Sequence, residues 1–227
     1  MSSATVHVRA VGLNISNRST RCNQGIEMND RVFRASEAAR LDSPERLIWL
    51  PPDEVIEKLA LRPGMVVADI GAGTGYFALP MAWQVAPDGA VYAVDMQVEM
   101  LAILRAKLAV AQVDNVLVIQ GEAARTGLQS SSCDLLLLAN IWHELDDLPA
   151  VVAECRRILR PAGRIAILDW RPDVSQPPGP PLHHRIPAHQ VAKLLTDSGW
   201  SSVGESQVGA YSYLVVASPT GANSPAS

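Results

Sequence analysis

Three groups of residues could do chemistry. The first is the run Val66-Val67-Ala68-Asp69-Ile70-Gly71-Ala72-Gly73-Thr74-Gly75-Tyr76, in which an apolar stretch ends in an acid and then in alternating glycines. Glycine lets a backbone turn sharply and come close to a ligand. The junction of a strand with a helix is where open α/β sheets bind their ligands. A dinucleotide fingerprint would read G-x-G-x-x-G, and its third glycine would fall where Tyr76 stands. The spacing found is G-x-G-x-G, with Asp69 two residues ahead of the first glycine. A pyrophosphate would be repelled by that carboxylate, whereas a ligand carrying an α-ammonium group would be drawn to it. A glycine-rich turn with no ligand is the plainer alternative; the acid, the triple glycine and the flanking strand and helix together argue against it.

The second group is Asp95, twenty residues after Gly75 at the end of the next apolar run. A carboxylate there can accept hydrogen bonds from both hydroxyls of a ribose. It can also cap the helix that begins near Val98, and the two roles are compatible. The third group is histidine: His143 in Trp142-His143-Glu144-Leu145, and His183-His184 in a proline-rich stretch. Each is a candidate general base, needed only when an acceptor must lose a proton. The plain alternatives are solvated loop histidines, or His143 capping a helix at Asp146. Cys22, Cys133 and Cys155 form no CxxC, so neither a disulfide framework nor a metal site is expected, and a reducing cytoplasm is the natural setting.

These groups need a frame, and the chain alternates strand and helix signals. Strands are expected at 65–70, 90–94, 116–119, 134–138 and 164–168. Helices are expected at 76–85, 98–111 (with Val98, Leu101, Leu104, Leu108 and Ala111 on one face) and 146–159. The turn Arg160-Pro161-Ala162-Gly163 closes the last of these. Such alternation implies a parallel sheet covered on both faces. After a helix at 188–198, strands at 203–208 and 211–216 meet across Gly209-Ala210, so this pair is expected as an antiparallel hairpin. The stretch 169–186 carries Pro172, Pro177, Pro178, Pro180 and Pro181 and reads as neither helix nor central strand. It leaves the carboxyl edge of the sheet, and Leu182, His183 and His184 are expected to line an acceptor pocket there. Asp169-Trp170 faces the same cleft by the same logic.

The motifs Asp69 to Gly75, Asp95, Gly121-Glu122-Ala123, Ser132-Cys133-Asp134 with 135–140, and Arg157-Ile158-Leu159-Arg160-Pro161-Ala162-Gly163 occur in a telling order. In that order the chain resembles the class I S-adenosylmethionine (SAM) methyltransferases, in the small-molecule branch that includes the ubiquinone and menaquinone C-methylases. The resemblance covers residues 32–218. It implies a Rossmann-like fold: a mostly parallel seven-stranded sheet with helices on both faces and a C-terminal antiparallel hairpin strand. It implies transfer of a methyl group from SAM to a small-molecule acceptor by in-line displacement, with release of S-adenosylhomocysteine. It places the methionine portion on Asp69 and on the backbone of Gly71, Ala72, Gly73, Thr74, Gly75 and Tyr76. It places the ribose on Asp95, one face of the adenine on Met96 and its edge on Glu122 and Ala123, with Asn140 beside the sulfonium. Similar proteins usually carry Asp where Glu122 stands. Residues 33–49 resemble an N-terminal cap over the cofactor, matched at Arg40, Leu41, Pro44, Arg46, Trp49 and Leu50-Pro51-Pro52.

Composition bounds the rest. The chain has 227 residues, 48% hydrophobic and 19% charged, enough for one buried α/β domain. The net charge of −4 offers no bulk attraction for nucleic acid, and no apolar run is long enough to span a bilayer. Residues 1–27 carry Arg9, Arg18 and Arg21 with no acid before Glu27. They are expected as a disordered leader or a start placed upstream of Met28, with organellar targeting as the lesser reading. A single domain is expected at 28–218, its cap at about 28–52, with a loose tail at 219–227. Two other functions stay open: a SAM-binding regulator that does no chemistry, and a nicotinamide-dependent oxidoreductase, which Tyr76 and the terminal hairpin disfavour.

Overall fold

The computed structural model describes residues 33–175 and 179–220, so the expected leader at 1–27 and the end of the tail lie outside the described residues. Seven strands form one sheet in the order β3-β2-β1-β4-β5-β7-β6: β1 (Val66–Ile70), β2 (Ala90–Asp95), β3 (Val116–Gln120), β4 (Cys133–Ala139), β5 (Leu159–Trp170), β6 (Trp200–Val208) and β7 (Ser212–Pro219). The first five run parallel; β7 lies antiparallel between β5 and β6. The expected terminal hairpin is therefore present, and it inserts its second strand beside the parallel set. The helices are α1 (Pro44–Trp49), α2 (Pro52–Leu59), α3 (Ala78–Val85), α4 (Val98–Ala111), α5 (Leu148–Ile158) and α6 (Ala188–Asp197).

The central strands read as apolar runs because both of their faces are buried. Along β4, Leu135, Leu137 and Ala139 join one core layer with residues of α2, α3 and α4. Leu136 and Leu138 join the other, with residues of α5 and α6. In β1 Val67 falls in the first layer and Ala68 and Ile70 in the second; in β5 Leu168 falls in the first and Ile167 in the second. Side chains alternate along a strand. Asp69 therefore leaves its strand on the first side, and Asp169 leaves its strand on the second.

Several expectations shift. The α4 face buries Met100, Leu101, Leu104 and Leu108, while Val98 and Ala111 are exposed. Helix α5 starts at Leu148 rather than Asp146, because the Asp147 side chain accepts from the Ala150 N–H at 3.0 Å; His143 caps nothing there. The turn expected at residues 160–163 lies inside β5. Leu159 already pairs with Cys133, and the next pair is Arg164 with Leu135, so the intervening residues form an irregularity in the edge of the ladder. Arg160 pins it by donating to Asp134 Oδ2 at 2.6 Å, and the same oxygen accepts from the Val66 N–H at 2.8 Å. The sheet also reaches into the expected tail: Pro219 pairs with Trp200, and the Thr220 N–H donates to the Gly199 carbonyl. Asp169 and Trp170 close β5, so the strand reaches further than expected, and the described part of the proline-rich stretch beyond it holds a 3-10 turn at Leu182–His184.

β1 connects through α3 to β2 on one side, while β4 lies on the other. The order reverses between β1 and β4. That switch point opens a crevice at the carboxyl ends of the strands.

Candidate functional site

A cavity of about 810 Å³ occupies this crevice. Its floor is the glycine turn and the ends of β1, β2, β4 and β5; its roof is residues 33–49 and part of the 179–184 loop. The roof is fastened by side chains. Gln97 accepts from the Ala35 N–H at 2.9 Å and donates to the Phe33 carbonyl at 2.7 Å. Asp42 accepts from the Thr74 hydroxyl at 2.9 Å and from Lys107 at 2.5 Å. Tyr76 donates its hydroxyl to the Leu50 carbonyl, and the Arg46 guanidinium stacks 4.0 Å from the centre of its ring.

The glycine turn is built as its spacing demands. Gly71 and Gly73 adopt positive φ of 75° and 53°. A β-carbon at Gly71 would sit 2.6 Å from Ile141, and one at Gly73 would meet Leu41 of the roof at 3.3 Å. Gly75 differs. Its φ is 86°, and a β-carbon there would lie 2.3 Å from Leu104, so its bareness lets α4 pack and does not face the cavity.

Asp69, the last residue but one of β1, has 2% of its surface exposed, and its Oδ2 is buried with no hydrogen-bond partner. Burial, then the nearby Asp95 carboxylate, pushes its pKa up to about 7, against the pull of Arg46. Asp95 is held rigidly, Oδ2 accepting from the Gly73 N–H and Oδ1 from the Gln97 N–H, each at 2.8 Å. Burial raises its pKa and these backbone donors oppose the rise. Asn140 follows β4 in the left-handed region, φ 57°, its N–H on the Leu168 carbonyl at 2.8 Å; its side-chain oxygen is buried without a partner. Arg46 is 5% exposed, its Nε is also unpartnered, and burial lowers its pKa to about 10. Buried polar atoms are rarely left unmet. An unmatched carboxylate oxygen, amide oxygen and guanidinium N–H all belong to residues lining this one cavity.

On the β5 side a different arrangement stands. His143, 4% exposed in a 3-10 turn after β4, brings Nδ1 to 2.8 Å from Asp169 Oδ1 and 3.0 Å from Oδ2. Asp169 also accepts from the His143 N–H at 3.0 Å and the Trp170 N–H at 2.7 Å. A carboxylate only accepts, so Nδ1 carries a proton toward Asp169. Nε2 lies 3.8 Å from Glu144 Oε1. Burial would lower the His143 pKa, but the Asp169 charge and hydrogen bond outweigh it and the net shift is upward. Glu144 is pushed up to about 7 by burial, and its Oε2 accepts from the Phe33 N–H at 3.2 Å.

Of the residues singled out from the sequence, Asp69, Gly71, Ala72, Gly73, Thr74, Tyr76, Asp95, Asn140, His143 and His184 line the cavity. Gly75, Met96, Glu122, Ala123, Leu182 and His183 do not; Leu182 is exposed to solvent. Met96 turns outward, 53% exposed, and Gln97 takes the lining position. Glu122 is exposed in the loop after β3, where it bridges to Arg125, and Ala123 packs on the second core layer. His183 is exposed and packs edge-on against His184, their ring centres 4.2 Å apart, so the double-histidine pocket reduces to one histidine. Sequence reasoning missed Glu144 and Gln97 as lining groups and Asp169 as the partner of His143. The only available signal was an acid one residue past His143 and another at the end of the neighbouring strand. Among the described residues no group of three or more His, Cys, Asp or Glu is arranged to hold a metal, and no helix is long and apolar enough to cross a membrane.

Known proteins show the family. Residues 68–167 match the model of a methyltransferase domain. The structure of a SAM-dependent methyltransferase from Aquifex aeolicus superposes with a TM-score of 0.77 at 31% identity, over 82% of this chain and 98% of that one. An arsenite methyltransferase of Halobacterium salinarum is 33% identical over 110 residues, 48% of this chain and 28% of the relative. A demethylmenaquinone methyltransferase of Listeria monocytogenes is 29% identical over 124 residues, 55% of this chain and 51% of the relative. The chain thus spans about half or less of the length of these two curated relatives.

Proposed function

The chain belongs to the class I SAM-dependent methyltransferases, and from that premise we propose that it transfers the methyl group of SAM to a small-molecule acceptor held in the same cavity. The observation that carries the reading is the Asp69 oxygen, buried at the glycine turn with no partner. A bare carboxylate oxygen in an enclosed site is matched by a cation, and the ligand of this family offers an α-ammonium group. Arg46, with its unpartnered Nε, offers the complementary cation for the amino-acid carboxylate. The residues present therefore fit the ligand at both charges.

In this reading Asp69 and the backbone of Gly71, Ala72, Gly73 and Thr74 hold the methionine portion, with Tyr76 bracing Arg46. Asp95 keeps spare lone pairs for the ribose hydroxyls, oriented by its two backbone donors. The adenine end is assigned to the rim beyond Asp95, where Met96, Glu122 and Ala123 follow; Gly121, just ahead of Glu122, donates its N–H to the Asp95 carbonyl at 3.0 Å. Asn140 sits toward the sulfonium. Gly75 supports the site through packing. When bound, SAM supplies an electrophilic methyl group whose bond to sulfur breaks with the electron pair leaving on sulfur. The protein's part is to position and to exclude water, which the fastened roof serves. Residues 28–218 are proposed as one domain, 28–52 as its cap, and the free, buried Cys133 and Cys155 suit a reducing cytoplasm.

Titration of the purified chain with SAM, S-adenosylhomocysteine and NAD tests this. Saturable binding of the first two with release of S-adenosylhomocysteine in a metabolite extract supports it. Binding without release marks a regulator, and preferential saturation by NAD overturns the reading.

A further inference from the structure

We infer that Glu154 and Thr126 are positioning residues for the nucleoside end of the cofactor: α5 anchors the loop after β3, and the anchored loop sets the backbone that carries Asp95. The inference rests on the cofactor reading above and deepens it. Neither residue lines the cavity. Glu154 is 8% exposed on α5, and Thr126, fully buried, lies between β3 and β4. Glu154 Oε1 accepts from the Thr126 N–H at 2.9 Å and from its hydroxyl at 2.6 Å. The Thr126 hydroxyl oxygen accepts in turn from the Leu128 N–H at 3.2 Å. Arg157 closes the group, donating to the two Glu154 oxygens at 2.7 and 2.8 Å and to the Leu128 carbonyl at 2.7 Å.

The anchored segment reaches the site through a glycine. A β-carbon at Gly121 would lie 2.7 Å from the Thr126 carbonyl oxygen and 3.2 Å from the Val94 side chain, so the loop returns directly onto Gly121. The Arg125 N–H closes that return on the Glu122 carbonyl at 2.9 Å. Gly121 donates its own N–H to the Asp95 carbonyl at 3.0 Å. Val94, on the far side of the contact, accepts from the N–H groups of Gly71 and Ala72 at 2.8 and 3.0 Å. Displacing Thr126 therefore shifts the strand end that meets the ribose.

The chemistry of the anchor suits positioning better than bulk stability. Replacing a buried ion pair by well-packed apolar side chains is often neutral for stability, so what such a group adds is direction. The Glu154 carboxylate accepts four charge-assisted hydrogen bonds, two from Thr126 and two from Arg157, and together they fix where Thr126 stands. The Arg157 hydrogen bonds, helped by those of Thr126, outweigh burial and hold the Glu154 pKa down at about 2, so the anchor keeps its charge at neutral pH. A binding group must be held within about 0.5 Å of its productive place. Asp95 is held from two sides: Gly73 and Gln97 fix its carboxylate, and Gly121 fixes its carbonyl.

Calorimetry decides, on variants whose circular dichroism and Tm are recorded alongside. Thr126→Val removes one hydroxyl and keeps the shape of the side chain. It should weaken S-adenosylhomocysteine binding about five- to tenfold, the scale of one lost hydrogen bond. Methylthioadenosine, which carries the nucleoside without the amino-acid end, should weaken by the same factor, and Thr126→Ser should restore both affinities. In an Asp95→Ala background Thr126→Val should cost less than about twofold more, because residues that act through one another are not additive. A role in stability alone would leave the two losses additive. Should Thr126→Val fail to fold, Arg157→Met, at a side chain 40% exposed, loosens the same loop from outside and should show the same pattern. Full affinity in the folded variants, a loss confined to S-adenosylhomocysteine, or additive losses with Asp95→Ala overturns the proposal while sparing the cofactor reading. If the wild-type protein binds neither ligand, both fall.

Discussion

Asp69 and Asp169 are both aspartates near the carboxyl ends of central parallel strands and both almost fully buried; Asp69 lines the crevice, whereas Asp169 lies behind His143, which lines it. They differ in what they touch. Asp169 accepts from the backbone and side chain of His143 and from the Trp170 N–H. Asp69 keeps one oxygen without any partner. Strand alternation sends them to opposite sides of the sheet, the first toward the glycine turn and α3, the second toward the turn after β4. Burial is common to both, so burial does not distinguish their roles. The difference is one unmet atom: Asp69 has an oxygen left over for an incoming cation, whereas Asp169 is already occupied by His143 and the Trp170 N–H.

The comparison can be broken at several points. The largest effect is expected from Asp69→Asn, which should weaken SAM binding about 100-fold, the upper end for a charge-assisted hydrogen bond in a dry site. Calorimetry on the folded variant measures it, and unchanged affinity would remove Asp69 from the site. Asp95→Ala should cost about 1.5–3 kcal/mol of SAM affinity with the fold retained, because the lost carboxylate is replaced at the backbone donors by solvent. Circular dichroism and the same titration check both halves.

Gly75→Ala sharpens the contrast between binding and packing. Its positive φ and the collision with Leu104 should lower stability by about 1–3 kcal/mol, read as a drop in Tm. SAM affinity should stay within about threefold, whereas Gly73→Ala, beside the roof residue Leu41, should lower affinity more than Tm.

The smallest effect is a fraction of a proton. The Asp69 pKa is raised to about 7 from an ordinary 3.8. A raised acid favours the unfolded chain once pH exceeds the unfolded value, so the free protein loses stability as pH climbs toward 7 and regains it as pH falls. A bound cation favours the carboxylate, so SAM binding near pH 7 should release protons. Calorimetry in buffers of different ionisation enthalpy should show this, and Asp69→Asn should abolish it. Glu144, also raised to about 7, is controlled by Glu144→Gln, which should leave most of the release intact.

The two aspartates also differ in how legible they were. Asp69 and its glycines are contiguous, so residue type and spacing together carry the chemistry, and Asp95 follows at the next strand end. The hairpin and its turn were equally local. The pairing of His143 with Asp169 is not local: the residues are 26 apart and meet only because β4 and β5 pair in one register, Leu138 with Ile167. Side-chain direction limited the rest. Spacing could not show that Gly75 faces Leu104, that Met96 turns outward while Gln97 turns in, or that His183 points away where His184 does not. The irregularity at residues 160–163 read as a turn because proline and glycine mark both.

One set of titrations tests the division of labour directly: SAM affinity measured by calorimetry for wild type, Asp69→Asn and Asp169→Asn, with melting temperatures recorded alongside. The expected result is a large loss for Asp69→Asn and an affinity within about threefold of wild type for Asp169→Asn, the scale of a change that touches no ligand group. Equal losses in the two folded variants, or a loss confined to Asp169→Asn, would contradict it.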